Sequence, residues 1–156
     1  MRLRGRAAAL VLGALVAGCA LAACSPGAPP PEPTGTPGVD VLALSVGDCL
    51  DLREVTGATA TVPVVDCASE HDSEAYGQIV LDDGPFPGAE SIKAAAESGC
   101  VEQFAEFVGL AYDSSSLDYA YYFPTEGSWE GGDRRILCLV GDPAARVSGS
   151  LEGAAR

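Results

Sequence analysis

The sequence predicts an α+β fold, in which a small antiparallel sheet packs against one main helix and carries two disulfides. Short β-rich segments with turn residues between them surround a single long helical pattern. Four of the six cysteines, Cys49, Cys67, Cys100 and Cys138, lie beyond residue 38, and an even number outside the cytoplasm favours two disulfides. Residues 39–156 number 118, which is enough for one hydrophobic core.

The strands predicted before the helix come from three segments. Residues 41–52 indicate a strand, a Gly-Asp turn and a short second strand. Residues 59–67 are rich in β-branched residues, and Pro63 among them favours an edge strand or a bulge. Residues 74–81 alternate well enough for another strand, and the turn cluster "DDGPFPG" follows it.

The clearest predicted element is the helix, because apolar residues recur at helical spacing through "AESIKAAAESGCVEQFAEFVGLA". Its apolar stripe consists of Ile92, Ala96, Cys100, Phe104, Phe107 and Val108. Gly109 is suited to end the helix. Because Cys100 lies on this stripe, it should point into the core. Residues 117–123 and 134–140 are predicted as the last strands, and Cys100 can reach a strand from the core.

Three disulfide pairings of the four cysteines remain open from the sequence. We favour Cys49–Cys67 and Cys100–Cys138, because each bridge would join neighbours in the sequence. Each would contribute about 3–4 kcal/mol by restricting the unfolded chain. A zinc site is the alternative, but such sites use close pairs such as C-x-x-C, which this sequence lacks. We therefore expect no metal or cofactor.

Residues 1–23 have the pattern of a secretory signal peptide. Arg2, Arg4 and Arg6 precede an uncharged run over residues 7–23. That run is slightly short for a membrane-spanning helix, which needs about 20 apolar residues. An uncleaved N-terminal anchor helix is the alternative.

Two cysteines resemble the lipid-bearing cysteine of bacterial lipoproteins: Cys19 follows "VAG" and Cys24 follows "LAA". We favour Cys24, because cleavage before Cys19 would leave Cys24 as an odd thiol in an oxidising compartment. Two or three acyl chains such as palmitate anchor a protein stably where one chain is marginal. We therefore expect a lipoprotein anchored through Cys24 to the extracytoplasmic face of the cell membrane.

The rest of the chain divides into a tether, a domain and a tail. Residues 25–38 contain six prolines and three glycines, so residues 24–38 should form a disordered tether. An extended form at about 3.1 Å per residue would reach up to about 40 Å. The predicted domain covers residues 39–142, and the small, polar residues 143–156 should fray.

The charge of the mature chain limits its partners. Without the leader's three arginines, six basic residues face twenty-two acidic ones, a net charge of −16. Nucleic acids and anionic membrane surfaces are bound through Lys and Arg, so both are poor partners for this domain. The charge suits a basic protein partner or divalent cations, although solubility is its commonest explanation.

The single histidine, His71, lies among Asp66, Glu70, Asp72 and Glu74. A general base, a metal ligand, a contact with a partner and a structural hydrogen-bonding residue are all compatible with this pattern. The sequence contains no G-x-S-x-G, H-E-x-x-H or S-x-x-K motif and no EF-hand spacing. Because no site constellation surrounds His71, we favour a structural or interfacial role.

Three segments, "GDCLDL", "VPVVDCASEHDSEAYG" and "PTEGSWEGGDRRILC", resemble the septum formation domain of actinobacterial cell-envelope proteins. The matching positions are Gly47, Asp48, Cys49, Cys67, His71, Glu74, Pro124, Thr125, Ser128, Trp129, Asp133, Arg134 and Cys138. Glu70 stands where the family often has proline, and Gly131–Gly132 is one residue longer than usual. The resemblance covers residues 44–140. It implies the fold and an envelope location, without a defined reaction.

The leading functional hypothesis is a non-enzymatic lipoprotein that binds a septal or cell-wall partner in septum formation or envelope maintenance. Four residues are candidates for contact with that partner: His71, Glu74, Trp129 and Asp133. Trp129 should either cap the core or anchor the partner, and we favour the core because most tryptophans are largely buried.

Two other functions remain as alternatives. The first is a cell-wall hydrolase that uses His71 with Glu70, Asp72 or Glu74, since paired carboxylates can cleave glycosidic bonds. The second is a structural or metal-buffering lipoprotein that has no specific partner.

Overall fold

A computed structural model describes residues 38–57 and 59–156 of the chain. The predicted signal peptide, Cys24 and the tether up to residue 37 lie outside the described residues. Within the described part, no helix is both long enough and apolar enough to span a membrane.

One antiparallel sheet and one long helix dominate the structure, which confirms the predicted α+β fold. The strands are β1 Gly38–Asp40, β2 Cys49–Leu50, β3 Thr61–Val65, β4 Ser73–Val80, β5 Asp118–Tyr122 and β6 Arg135–Gly141. The helices are α1 Ala89–Val108 and the short α2 Glu126–Glu130. Two 3-10 turns cover Val41–Ala43 and Tyr112–Ser114. The strand order is β1-β3-β2-β4-β6-β5, and every neighbouring pair is antiparallel.

Helix α1 packs one apolar stripe against β4, β5 and β6. Its buried residues recur every four positions: Ile92, Ala96, Cys100, Phe104 and Val108. Gly99 lies where a Cβ would come within 2.5 Å of the Cδ1 atom of Ile79, so its lack of a side chain lets the helix approach β4. Gly109 has a φ of 80°, and its N–H donates to the Ala105 carbonyl, which ends the helix as predicted.

The sheet is apolar on both faces. One face packs under α1, and the other carries a second cluster: Leu44, Leu50, Val62, Ala75, Leu137 and Leu139. Val62 of β3 and Leu137 of β6 share this second cluster although two strands lie between theirs. The sheet therefore curls, and its N-terminal strands cover part of the sheet face that lies opposite α1.

Both disulfides join sequence neighbours, which is the pairing we favoured. Cys49 bonds Cys67 across 18 residues and ties β2 to the end of β3. Cys100 bonds Cys138 across 38 residues and ties α1 to β6. Both sulfurs of the second bridge are fully buried in the core between helix and sheet.

Two predictions about the N-terminal strands are wrong. Residues 41–43 form a 3-10 turn rather than a strand, because the Asp40 carboxylate accepts the Leu42 N–H and caps the turn. Pro63 lies between two paired neighbours rather than at an edge or a bulge. Its carbonyl accepts the N–H of Asp51, but proline has no N–H to return the bond, so the β2–β3 ladder ends there.

The expectation that the chain frays after Asp142 is also wrong. Gly149 donates to the Cys67 carbonyl, Gly153 to the Phe107 carbonyl and Ala155 to the Val108 carbonyl. Leu151 is buried in the core on the α1 side. Backbone hydrogen bonds hold this segment more than apolar side chains do. A stretch of small and polar residues can therefore belong to the fold.

Asp142 fastens the start of the tail to its end. The Ala144 N–H and the Arg156 guanidinium both donate to its carboxylate, and these contacts hold the pKa of Asp142 below its usual value. The Arg156 carbonyl in turn accepts the Ser115 hydroxyl. The last residues therefore belong to the folded domain.

Removing either disulfide should destabilise the domain. By loop-closure entropy, the double variant Cys49→Ala/Cys67→Ala should lose about 3 kcal/mol of unfolding free energy and Cys100→Ala/Cys138→Ala about 4 kcal/mol. Urea unfolding of the two variants against wild type measures both losses. An unchanged midpoint for the core pair would contradict its role in joining α1 to β6.

Candidate functional site

His71 lies at the end of the segment that leads into β4, and its imidazole is fully buried. Its backbone exchanges two hydrogen bonds of 2.9 Å with Val147 in the tail. Its Nδ1 lies 2.9 Å from the Ser69 carbonyl, which can only accept, so Nδ1 carries the proton. Nε2 is buried without a partner among the described residues. The imidazole therefore fixes a turn and has no access to a substrate in solvent.

The carboxylates near His71 in sequence are bonded to other groups. Glu70 pairs with the Arg146 guanidinium at 3.2 Å. Asp72 accepts the Leu52 N–H on both oxygens, at 3.0 and 2.9 Å. Each carboxylate thus holds a loop in place. The hydrolase alternative would require a carboxylate hydrogen-bonded to the imidazole. Among the described residues, neither Glu70 nor Asp72 makes that bond.

Glu74 is a buried carboxylate that the tail satisfies. Its side chain is nearly inaccessible, and its two oxygens accept the Ser150 hydroxyl and the Leu151 N–H, both at 2.7 Å. A buried carboxylate without such donors would be strongly destabilising. Glu74 therefore docks the tail and is not free to act on a ligand.

Glu74 also lies beside the first disulfide. One oxygen of Glu74 and the sulfurs of Cys49 and Cys67 lie within 4.8 Å of one another, a spacing that could hold a metal ion. The two sulfurs are bonded to each other, however, and only a thiolate is a good metal ligand. In the oxidised protein this group is structural.

Helix α2 lies within the segment "PTEGSWEGGD". Thr125 caps it, since its hydroxyl accepts the Ser128 N–H, and the Ser128 hydroxyl accepts the Thr125 N–H in return. Ser128 stands where a capping box normally has Glu or Gln. The T-x-x-S spacing was therefore the available signal for this helix, although its glycines obscured it.

Trp129 fastens α2 to the turn after β4. It is 5% exposed, and its Nε1 donates to the Gly84 carbonyl at 2.9 Å. The Arg134 guanidinium lies 3.8 Å above the ring, and Phe86 meets the ring edge-on. Trp129 therefore packs in the core, the role that we favoured, and attaches α2 to it.

Asp133 is the candidate residue nearest the surface. It is half-buried, and its carboxylate accepts the Ser128 hydroxyl at 3.0 Å and the Arg135 N–H at 3.1 Å. These bonds connect the end of α2 to the start of β6.

A cavity of about 480 Å³ lies beside α2, on the sheet face opposite α1. Its walls comprise Asp40, Val41, Leu42, Gly57, Thr59, Ala60, Tyr122, Phe123, Thr125, Ser128, Asp133, Arg135 and Leu137. Burial raises the pKa of the Tyr122 phenol in this wall. Sequence reasoning missed the cavity because the curl of the sheet brings together three segments that are far apart in the chain.

The four candidate partner-binding residues do not form one exposed patch. His71, Glu74 and Trp129 are buried, and only Asp133 borders accessible space. The three buried side chains instead hold the tail, the turn before β4 and α2 in place.

Trp129 should contribute strongly to stability, because its ring packs in the core. Trp129→Ala should lower the unfolding free energy by about 3–5 kcal/mol, because it opens a cavity in the core. Trp129→Phe should cost about 1–3 kcal/mol, because it leaves the Gly84 carbonyl without its donor. Thermal or urea unfolding measures both, and wild-type stability of Trp129→Ala would show that the ring is not packed.

The bond between Glu74 and the tail can be tested by a double-mutant cycle. Glu74→Gln should cost about 1–3 kcal/mol, because it replaces two charge-assisted hydrogen bonds by weaker neutral ones. Adding Ser150→Ala should cost less than it does in the wild type, because the hydroxyl is then bonded to a neutral amide and not to a carboxylate. Glu102→Gln, an exposed change on α1, is the control. Strictly additive losses in urea unfolding would contradict the direct bond.

Comparisons with known proteins agree with this description. The sequence matches the family described as septum formation over residues 46–154. Relatives named "Putative lipoprotein LppN", from Mycobacterium tuberculosis and Mycobacterium bovis, are each 30% identical over 116 residues. That alignment covers 72% of this chain and 63% of each relative, so the chain spans less than two thirds of their length. No solved structure matches the chain. The resemblance noted in the sequence is thereby confirmed, and the protein belongs to the septum formation family.

Proposed function

We propose that the protein is a non-enzymatic lipoprotein, anchored through Cys24 to the extracytoplasmic face of the cell membrane. Its domain would bind a septal or cell-wall protein and act in septum formation or envelope maintenance. Membership of the septum formation family and similarity to proteins named as lipoproteins support this proposal. The two disulfides support a location outside the cytoplasm.

The observation that carries the proposal is the rigid mounting of α2. Thr125, Glu126, Gly127 and Glu130 are exposed, whereas Trp129 beneath them is buried and bonded at its ring nitrogen. We call these four exposed residues the α2 surface. A surface held in one conformation loses little entropy on binding, which favours recognition of a partner.

The charge of the α2 surface indicates the chemistry of its partner. It carries two carboxylates and no basic residue. A complementary protein would present Lys or Arg to it, because opposite potentials speed encounter and exclude wrong partners.

The arrangement of polar groups favours binding over catalysis. A general base must reach the proton that it removes, and His71 is buried. Glu74 is buried as well, with both oxygens bonded to the tail. The residues that would form a hydrolytic site instead support the fold.

The position of the protein in its own host tests the proposal. A fluorescent protein that folds under oxidising conditions is best inserted between residues 25 and 37, because the tail is packed and a C-terminal fusion would disturb it. We expect enrichment at the division septum. A uniform signal around the cell would contradict a septal partner, and release of the wild-type protein from membranes would contradict the lipid anchor.

A matched pair of variants separates the α2 surface from total charge. Glu126→Lys/Glu130→Lys should reduce septal enrichment several-fold while the protein stays on the membrane. Glu102→Lys/Glu106→Lys makes the same charge change on exposed positions of α1 and should leave enrichment unchanged. Equal loss in both variants would show that charge alone decides the position.

A further inference from the structure

The cavity beside α2 has the size and lining of a ligand site. Its volume of about 480 Å³ falls within the roughly 300–1,000 Å³ that is typical of small-ligand pockets. Aliphatic and aromatic side chains form much of its wall: Val41, Leu42, Tyr122, Phe123 and Leu137. Burial of an apolar ligand against them would be favourable.

Most polar groups around the cavity already have partners within the protein. The Arg135 guanidinium donates to the carbonyls of Val41, Leu42 and Leu44, which close the 3-10 turn over it. The hydroxyl of Thr59 donates to the Thr61 carbonyl.

The remaining polar wall belongs to the cap of α2 and to the 3-10 turn. Thr125, Ser128 and Asp133 are bonded to one another. The Asp40 carboxylate accepts the Leu42 N–H. A sugar or a peptide backbone placed inside would lose its hydrogen bonds to water and find few in return, which is costly. The lining therefore favours a hydrocarbon chain.

The rim of the cavity lies close in sequence to the predicted anchor. Leu42 lines the cavity and is 55% exposed, so its side chain lies at the rim, open to solvent. It follows Cys24 by only 18 residues, most of them in the Pro- and Gly-rich tether.

From these observations we propose that the cavity binds one hydrocarbon chain of a membrane lipid, which enters past Leu42. The inference rests on the proposed lipid anchor for its source of lipid. It adds a ligand site to a domain for which we have otherwise proposed only a protein partner.

Photolabelling of the full-length protein tests the inference. The protein is purified from its host and reconstituted into phosphatidylcholine vesicles that contain a trace of phosphatidylcholine with a diazirine on one acyl chain. After irradiation, mass spectrometry of peptides locates the label. We expect labelling of cavity residues, in particular Phe123 and Leu137. Labelling of the anchor segment alone, or no labelling of any cavity residue, would overturn the inference.

Two matched variants show whether entry is specific. Leu42→Asp should reduce cavity labelling at least five-fold, because it places a charge at the rim. Val46→Asp is the control, since Val46 is 48% exposed but does not line the cavity. Equal labelling of both variants would overturn entry past Leu42.

A second readout keeps this inference separate from the proposed anchor. Sedimentation of the vesicles reports whether the protein is attached to them. Attached protein without cavity labelling contradicts the lipid site and leaves the anchor intact. Protein that stays in the supernatant contradicts the anchor, and labelling by a soluble diazirine fatty acid then decides whether the cavity binds hydrocarbon chains at all.

Discussion

The bridge between Cys100 and Cys138 is the interaction on which the rest of the structure depends. It joins the middle of α1 to β6, the strand that lies between β4 and β5. Beside the bridge, the Tyr76 hydroxyl donates to the Cys100 carbonyl at 2.7 Å. Burial raises the pKa of that phenol. Helix and sheet are thereby fixed face to face, and the loops at both ends acquire defined positions.

A second set of contacts holds the C-terminal tail, residues 143–156, against the sheet. The tail crosses the start of β4, where Glu74 accepts two of its donors and His71 pairs with Val147. These buried polar groups place the tail with a specificity that apolar packing alone does not give. The histidine and glutamate that looked like site residues in the sequence therefore serve the fold.

Much of the fold could be predicted from the sequence because local patterns encode it. The apolar residues of α1 recur at helical spacing, and the alternation over residues 74–81 predicts the strand β4. The disulfides also followed from neighbour pairing. The helix and the strand depend on their own residues and little on distant ones.

The remaining features could not be predicted because they depend on contacts between distant residues. The tail is polar, and distant partners fix its position, among them the carboxylate of Glu74, which accepts the Ser150 hydroxyl from 76 residues away. The cavity exists because the sheet curls and carries the turn at Val41–Ala43 towards α2. The burial of Trp129 depends on the Gly84 carbonyl and on Phe86, neither of which a local pattern indicates.

The central claim is that this domain binds a partner through a surface that buried residues hold rigid. Site-specific photo-crosslinking in living cells tests it most directly, with benzoylphenylalanine in place of Gly127 on the α2 surface, where a Cβ would meet no other atom within 4 Å, or of Glu102 on α1. We expect a discrete adduct with one envelope protein from position 127 and none from position 102. The same adduct pattern from both positions, or no adduct from position 127, would contradict the claim.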